Sequence, residues 1–324
     1  MGGHRAPRTL IMAPPLPPPP KVTIGLPVRN GERFLEATLD SLLAQTLQDF
    51  ELVISDNAST DRTPEMCRAY AARDGRVRYV RAEENRGAAW NYRRVFSLAR
   101  GEYFKWCADD DPCAPRLLEA CVGALERAPE AVLAFPHSIH IDADGRPMAS
   151  AEHGHCVERH DFAVDALAPH LRFRDLILHG HDCREVFAVM RTKALRTTRL
   201  LLDLEAHDIV LVSELALRGP FIQVPERLQY RRRHPDESER CFRHRRHVRL
   251  SWITGRAHRL SFPEWRLFRE LVAAVAAAPV AAAERLRCAV ELLRWLRWGH
   301  GRLLARDLGI AARALLRGAP AFTV

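Results

Sequence analysis

Three consecutive carboxylates, Asp109, Asp110 and Asp111, follow the short aromatic run from Tyr103 to Cys107 and precede Pro112. The run is bounded by Gly101 and reads as a buried strand. Three like charges at the carboxyl end of a buried strand are unfavourable unless a cation neutralises them. The crevice beyond those strand ends is also where open α/β sheets bind ligands. An all-oxygen donor set suits a hard divalent ion, Mg2+ or Mn2+, which commonly bridges protein carboxylates to substrate phosphates. The plainer alternative is a solvated acidic loop capping a helix that starts near Pro115.

The chain before the triplet predicts the elements that position it. Lys21 to Val28 is a β-branched run ended by a turn at Asn30-Gly31, and Glu51 to Asp56 is a second strand. Between them, Leu35, Leu39, Leu42 and Leu43 recur at helical spacing over residues 32–48. Thr63-Pro64 opens a helix running to about Arg73, residues 76–81 alternate as a third strand, and residues 88–99 form a helix before the acidic strand. Short connections between alternating strands and helices predict a doubly wound, mostly parallel sheet.

Beyond the triplet a helix is expected over 115–127 and a strand over 131–135, followed by a long irregular region, 136–170. Order resumes with a helix at 173–179, a strand at 185–190, a short helix at 193–202, a helix over 208–218 and short strands over 221–230. Two or three helices are expected between Ser261 and Arg317.

Composition narrows the class. The 324 residues are ample for a sizeable core, and the 8 cysteines form no CxxC pair, as expected of reduced thiols in a cytoplasmic protein. The cluster from His153 to Cys183 matches no ligand framework and is left out of the site. Net charge is +9, unevenly spread: residues 231–324 carry 20 Arg against 8 Asp and Glu, a net of +12, leaving −3 for residues 1–230. Residues 1–20 read as a disordered proline-rich leader without a signal-peptide core. No run is long and apolar enough for a membrane span.

Four linked motifs, Ile24-Gly-Leu-Pro-Val-Arg-Asn30, Ser55-Asp-Asn-Ala-Ser-Thr-Asp61, Asn85-Arg-Gly-Ala-Ala-Trp-Asn91 and Gly101-Glu-Tyr with Asp109-Asp-Asp111, resemble the family 2 glycosyltransferases in order and spacing. The resemblance covers about residues 20–235. It implies the GT-A fold, a Rossmann-like, mostly parallel sheet flanked by helices. Residues 21–135 would bind the nucleotide and 136–235 the acceptor, with 236–324 a basic helical extension. It also implies an inverting transfer of sugar from a nucleoside-diphosphate sugar, a UDP-sugar by preference, to a glycan or lipid-linked acceptor.

By that resemblance Asp56 reads the nucleotide base, and Asp109, Asp110 and Asp111 hold the metal and the ribose-diphosphate. Asp111 is assigned to the metal and Asp109 to the ribose or a supporting metal contact. The position two before Asp110, often acidic in the family, is Ala108 here. Pro27, Arg29 and Arg86 complete the nucleotide site, and Arg232 and His234, in the Arg-x-His segment, face the diphosphate. Asp208 corresponds to the catalytic base, with Glu205 and His207 as the neighbouring alternatives. A carboxylate there would take the proton of the attacking hydroxyl.

In the tail, Trp295, Trp298, Leu303 and Leu304 alternate with Arg294, Arg297, Arg302 and Arg306. Such helices either lie on an anionic membrane, at the inner face, or pack on the domain. Two other classes fit less well. A sugar nucleotidyltransferase would need a glycine- and arginine-rich loop after its first strand, and a basic binder of membrane or nucleic acid leaves Asp56 and the triplet unexplained, so no nucleic acid is expected.

Overall fold

The computed structural model describes residues 18–148, 165–178, 183–236, 246–256 and 262–317. The expected leader therefore lies outside the described residues except for its end, as does most of the His153–Cys183 cluster.

The first half folds as its periodicity predicts. Strands β1 (Val22–Val28), β2 (Phe50–Asp56), β3 (Val77–Arg81) and β4 (Tyr103–Trp106) alternate with helices α1 (Leu35–Leu43), α2 (Thr63–Arg73) and α3 (Ala88–Ser97). Helix α1 is shorter than expected, and Gln45 explains part of its end. Its side chain leaves the helix to bond Ala114 O and Leu118 N, tying the segment to α4 (Leu117–Arg127). Strands β5 (Leu133–Ile141), β6 (Val189–Arg191) and β7 (Phe221–Arg232) complete one seven-stranded sheet of order β3-β2-β1-β4-β6-β5-β7. All pairs are parallel except those of β6 with β4 and β5.

Three expectations are corrected here. The strand expected at 185–190 divides into a 3-10 turn, Arg184–Phe187, and the three-residue β6, which runs antiparallel. The irregular region does not begin at residue 136, because β5 continues to Ile141 along β7 across register shifts at Pro136 and His137. The short strands expected over 221–230 are one twelve-residue strand.

One sheet face is covered by α1, α2 and α4, whose Leu35, Leu39, Cys67 and Leu118 meet Ile24, Leu26 and Leu52. The other carries α3 and α7 (His207–Ala216) through Val95, Leu211 and Leu215 against Val53, Phe104 and Trp106. A third apolar cluster lies behind α7. There α5 (Pro169–Leu178), α9 (Pro263–Ala277) and α10 (Ala282–Trp295) bury Phe173, Val210, Leu271, Leu292 and Trp295 together. The remaining elements are α6 (Thr192–Arg196), α8 (Arg246–Thr254), a π turn at Leu296–His300 and α11 (Gly301–Arg317).

The tail stripe expected from Trp295 to Leu304 is corrected as well. Trp295 is 2% and Leu304 6% exposed, whereas Trp298 is 70% exposed. The side of each helix that finds α5, α7 or α9 is the side that buries. Since α9 and α10 share a core with α5 and α7, truncating Leu271, 0% exposed, to Ala is expected to cost about 2–5 kcal/mol. Unfolding should remain a single denaturant transition, and an early separate transition of the tail would show it to be an independent unit.

Candidate active site

At the carboxyl ends of β1, β4 and β7 a crevice of about 530 Å3 opens. Its walls include Arg29, Asp109, Asp110, Asp111, Arg232 and His234. Six of the residues singled out in the sequence thus meet in one place. The topology accounts for it: β1 and β4 are neighbours, and β7 runs parallel to β5 in the same sense as β4, so all three end on one rim.

The acidic loop is held from both sides. From β1, Gly31 lies so close that a Cβ there would sit 2.2 Å from Asp109 Oδ2. The Asn30-Gly31 turn, with Asn30 at φ 57°, is what permits this approach. From β7, the Arg232 amide donates to Asp111 Oδ1 at 2.8 Å, and its guanidinium Nε donates to Asp110 O at 3.0 Å. His234 Nε2 lies 3.0 Å from Asp110 Oδ2. Asp109 has no donor among the described residues beyond its own backbone.

The electrostatics follow from that crowding. The carboxylates are half-buried, and desolvation followed by the charge of Asp110 pushes both Asp109 and Asp111 up to about 7. Arg231 offsets part of this at Asp111. The donor set is hard oxygen short of positive charge, which fits a divalent cation. Among the described residues no three acidic, His or Cys groups converge as a preformed cage. That agrees with a cation held by one or two carboxylates together with a substrate diphosphate.

His234 is 7% exposed, and its Nδ1 has no partner among the described residues. The ring packs on Phe34 with centroids 4.7 Å apart, and the Arg232 guanidinium lies 4.7 Å from the same ring. Phe34 is thus the platform on which both side chains rest. Sequence reading missed it, as it missed Tyr92, Phe187 and Trp252, which also line the crevice. Of these, Phe34 had a faint signal, an aromatic just beyond the Asn30-Gly31 turn.

Arg232 is more committed than expected. Its Nη1 donates to Asp142 O and Ala143 O at 3.1 and 2.9 Å, so the guanidinium ties two loops together as well as supplying charge. Asp56 is 0% exposed and also committed. Oδ1 accepts from Ser59 N at 2.8 Å, and Oδ2 accepts from Tyr79 Oη and Arg81 Nε at 2.7 and 3.2 Å. Pro27 is buried within β1, paired in register with Ser55.

Like Pro27 and Asp56, Arg86 and Asp208 do not line the crevice. Arg86 is exposed, stacks 4.5 Å over Trp90 and lines a separate hollow with Arg81 and Arg94. Asp208 is half-buried at the start of α7, where Oδ1 accepts from Ile209 N at 2.9 Å, and it does not line the crevice. Beside it, burial first and then Arg249 and Arg93 push His207 below the usual imidazole range. Helix α8 lends Trp252 to the crevice, and the charge of its Arg249 is one of those felt at His207.

A profile of glycosyl transferase family 2 matches residues 23–198. The chain is 36% identical over 141 residues to an uncharacterized protein of Mycobacterium tuberculosis, covering 43% of this chain and 40% of that one. To the glycosyltransferase GlyG of Streptococcus pneumoniae it is 27% identical over 147 residues, covering 45% and 47%. The aligned stretch is therefore less than half the length of each of these relatives. Among solved structures, residues 1–349 of TarS from S. aureus with UDP-GlcNAc superpose with a TM-score of 0.60 at 17% identity, over 85% of this chain and 72% of that one. The mannosyltransferase PcManGT of Pyrobaculum calidifontis, with GDP-Man and Mn2+, gives 0.55 at 19%, over 94% and 77%. At such identities the likeness is one of fold, the GT-A arrangement.

The raised carboxyls make a sign-definite prediction. A carboxyl whose folded pKa exceeds its unfolded value costs stability that grows from about pH 4 and is full above about 7. Asp109→Asn is therefore expected to raise the melting temperature of the metal-free protein at pH 8 and to change it little at pH 4. Mn2+ should stabilise the wild type at pH 8 and progressively less toward pH 6, since the carboxyls must shed protons to bind it. Calorimetry at several pH values checks both, and a pH-independent response to Mn2+ would contradict the assignment.

Proposed function

The chain belongs to glycosyl transferase family 2, and from that membership we propose that it moves a sugar from a nucleoside-diphosphate donor to a hydroxyl acceptor, inverting the anomeric carbon. The donor we propose is a UDP-sugar and the acceptor a glycan or a lipid-linked sugar. The observation that carries the reading is the meeting of Asp109, Asp110 and Asp111 with Arg29, Arg232 and His234 at one rim of the sheet. The sugar nucleotides bound by TarS and PcManGT support the donor class.

In this reading Asp111 and Asp109 hold Mg2+ or Mn2+. When bound, the cation supplies the positive charge that a leaving diphosphate needs. Asp109, with no donor from another described residue, is the group most available to ribose hydroxyls; Asp110, steadied by His234, borders them. His234 and the exposed Arg29 face the diphosphate, and Arg232 keeps Asp110 and Asp111 in place.

At the base end, Asp56 acts through what it holds. With both oxygens engaged, it fixes Tyr79, Arg81 and the backbone of Ser59, and recognition falls to the groups so positioned and to the β1 backbone at Pro27. Arg86 lines the hollow that Arg81 also borders, at this base end. On the acceptor side Asp208 is the proposed base: Oδ1 is occupied by the helix start, and Oδ2 is left to take the proton of the attacking hydroxyl. The nucleotidyltransferase and non-enzymatic alternatives gain no support from this arrangement.

Isothermal calorimetry with UDP, GDP and dTDP, with and without Mn2+, tests the donor class. One nucleotide should bind only with metal and lose binding in Asp111→Ala; no binding of any nucleotide in either condition would overturn the proposal. Asp208→Asn should leave nucleotide affinity unchanged while lowering kcat by about 10²–10⁴-fold. Equal loss of both would assign Asp208 to folding rather than proton transfer.

A further inference from the structure

Helix α10 carries two apolar stripes on opposite sides. One, formed by Cys288, Leu292 and Trp295, is buried against α5 and α9. The other, formed by Leu286, Val290 and Leu293 at i, i+4 and i+7, faces solvent at 68%, 41% and 61% exposure. Trp298, 70% exposed, follows it on the π turn. A helix apolar on both sides is ordinarily buried on both, so this outward stripe lacks a cover among the described residues.

The charge beside the stripe identifies the cover. Arg287 and Arg294 flank it, 62% and 57% exposed, and Arg297 continues its line one turn beyond Leu293. Arg287 and Arg294 each pair with a glutamate turned toward the packed side, Glu284 at 2.8 Å and Glu291 at 2.7 Å, so no acidic group stands on the outward stripe itself. A second copy laid on this face would bring like charges together. An anionic surface with an apolar interior satisfies both features: leucine and tryptophan enter the interface while arginine stems lie along it with their heads at the phosphates.

We propose that the outward stripe of α10 with Trp298 seats the protein on an anionic lipid surface. This differs from the stripe expected from sequence, since Trp295 and Leu304 face inward. The inference stands on surface geometry and charge and is independent of the proposed reaction.

Co-sedimentation of the full chain with phosphatidylcholine vesicles, with and without phosphatidylglycerol, tests it. Binding is expected only to the anionic vesicles, and to fall at least about tenfold in Leu286→Gln/Leu293→Gln/Trp298→Ser. Because these side chains are exposed, the variant should keep its wild-type melting temperature. Arg287→Gln/Arg294→Gln/Arg297→Gln should weaken binding and remove most of its salt dependence. Absence of binding to anionic vesicles at low salt, or equal binding by the triple apolar variant, would overturn the proposal. So would a wild-type dimer in light scattering that the same variant converts to monomer, since the occupant would then be a second copy.

Discussion

Repulsion among Asp109, Asp110 and Asp111 is the constraint to which the rest of the site answers. In this half-buried loop desolvation and then the charge of Asp110 raise the affinity of Asp109 and Asp111 for protons, and Arg231 offsets only part of this at Asp111. The fold instead immobilises their surroundings. The loop leaves the middle of the sheet, where β4 lies between β1 and β6, so its first residues inherit the rigidity of a buried strand. Gly31 lets the β1 turn press against Asp109, and the Arg232 amide fixes Asp111 from the opposite side. The carboxyls are thus kept in place with a raised proton affinity, and a cation bound there would take the place of those protons.

The length of β7 is what allows that second restraint. Twelve residues, paired with β5 as far as Ile141 and Arg232 across the register shifts, carry the chain to the acidic loop, and His234 follows two residues beyond the strand. Phe34 then serves the two halves at once, as it stacks with residues from β7 while rising from the turn after β1. Each contact is worth on the order of 1 kcal/mol. Together they make the nucleotide side depend on a segment more than a hundred residues away in sequence.

How much of this was legible depends on the range of the interaction. β1, β2, β4 and the triplet were readable because alternation, turn residues and a charge run are local. Strand β6 was readable only in part: the strand expected at 185–190 overlaps it at Val189 and Met190, but its bounds and antiparallel direction are set by the neighbours β4 and β5. Asp56 was legible in position but not in use: no local signal tells that Tyr79 and Arg81, on the neighbouring strand, consume its oxygens. Arg232 was chosen for its charge, yet the carbonyls of Asp142 and Ala143 that occupy its guanidinium belong to a stretch read as irregular. Asp208 rests on the resemblance alone, and no local period marks α8, whose Trp252 lines the crevice.

The tail shows the same limit most clearly, because a helical period identifies a stripe without saying what covers it. In α10 the period is satisfied twice, and only the presence of α5 and α9 decides that Trp295 turns inward and Leu293 outward. That choice has a mechanical consequence. The buried stripe belongs to the same apolar cluster as Val210 and Leu217, so α10 is packed to the element that begins with Asp208. Close-packed interiors transmit displacement rather than absorb it. Whatever engages the outward stripe therefore bears on the helix that carries the proposed base, and the acceptor side of the crevice is oriented relative to that surface by the core of the protein rather than by a flexible tether.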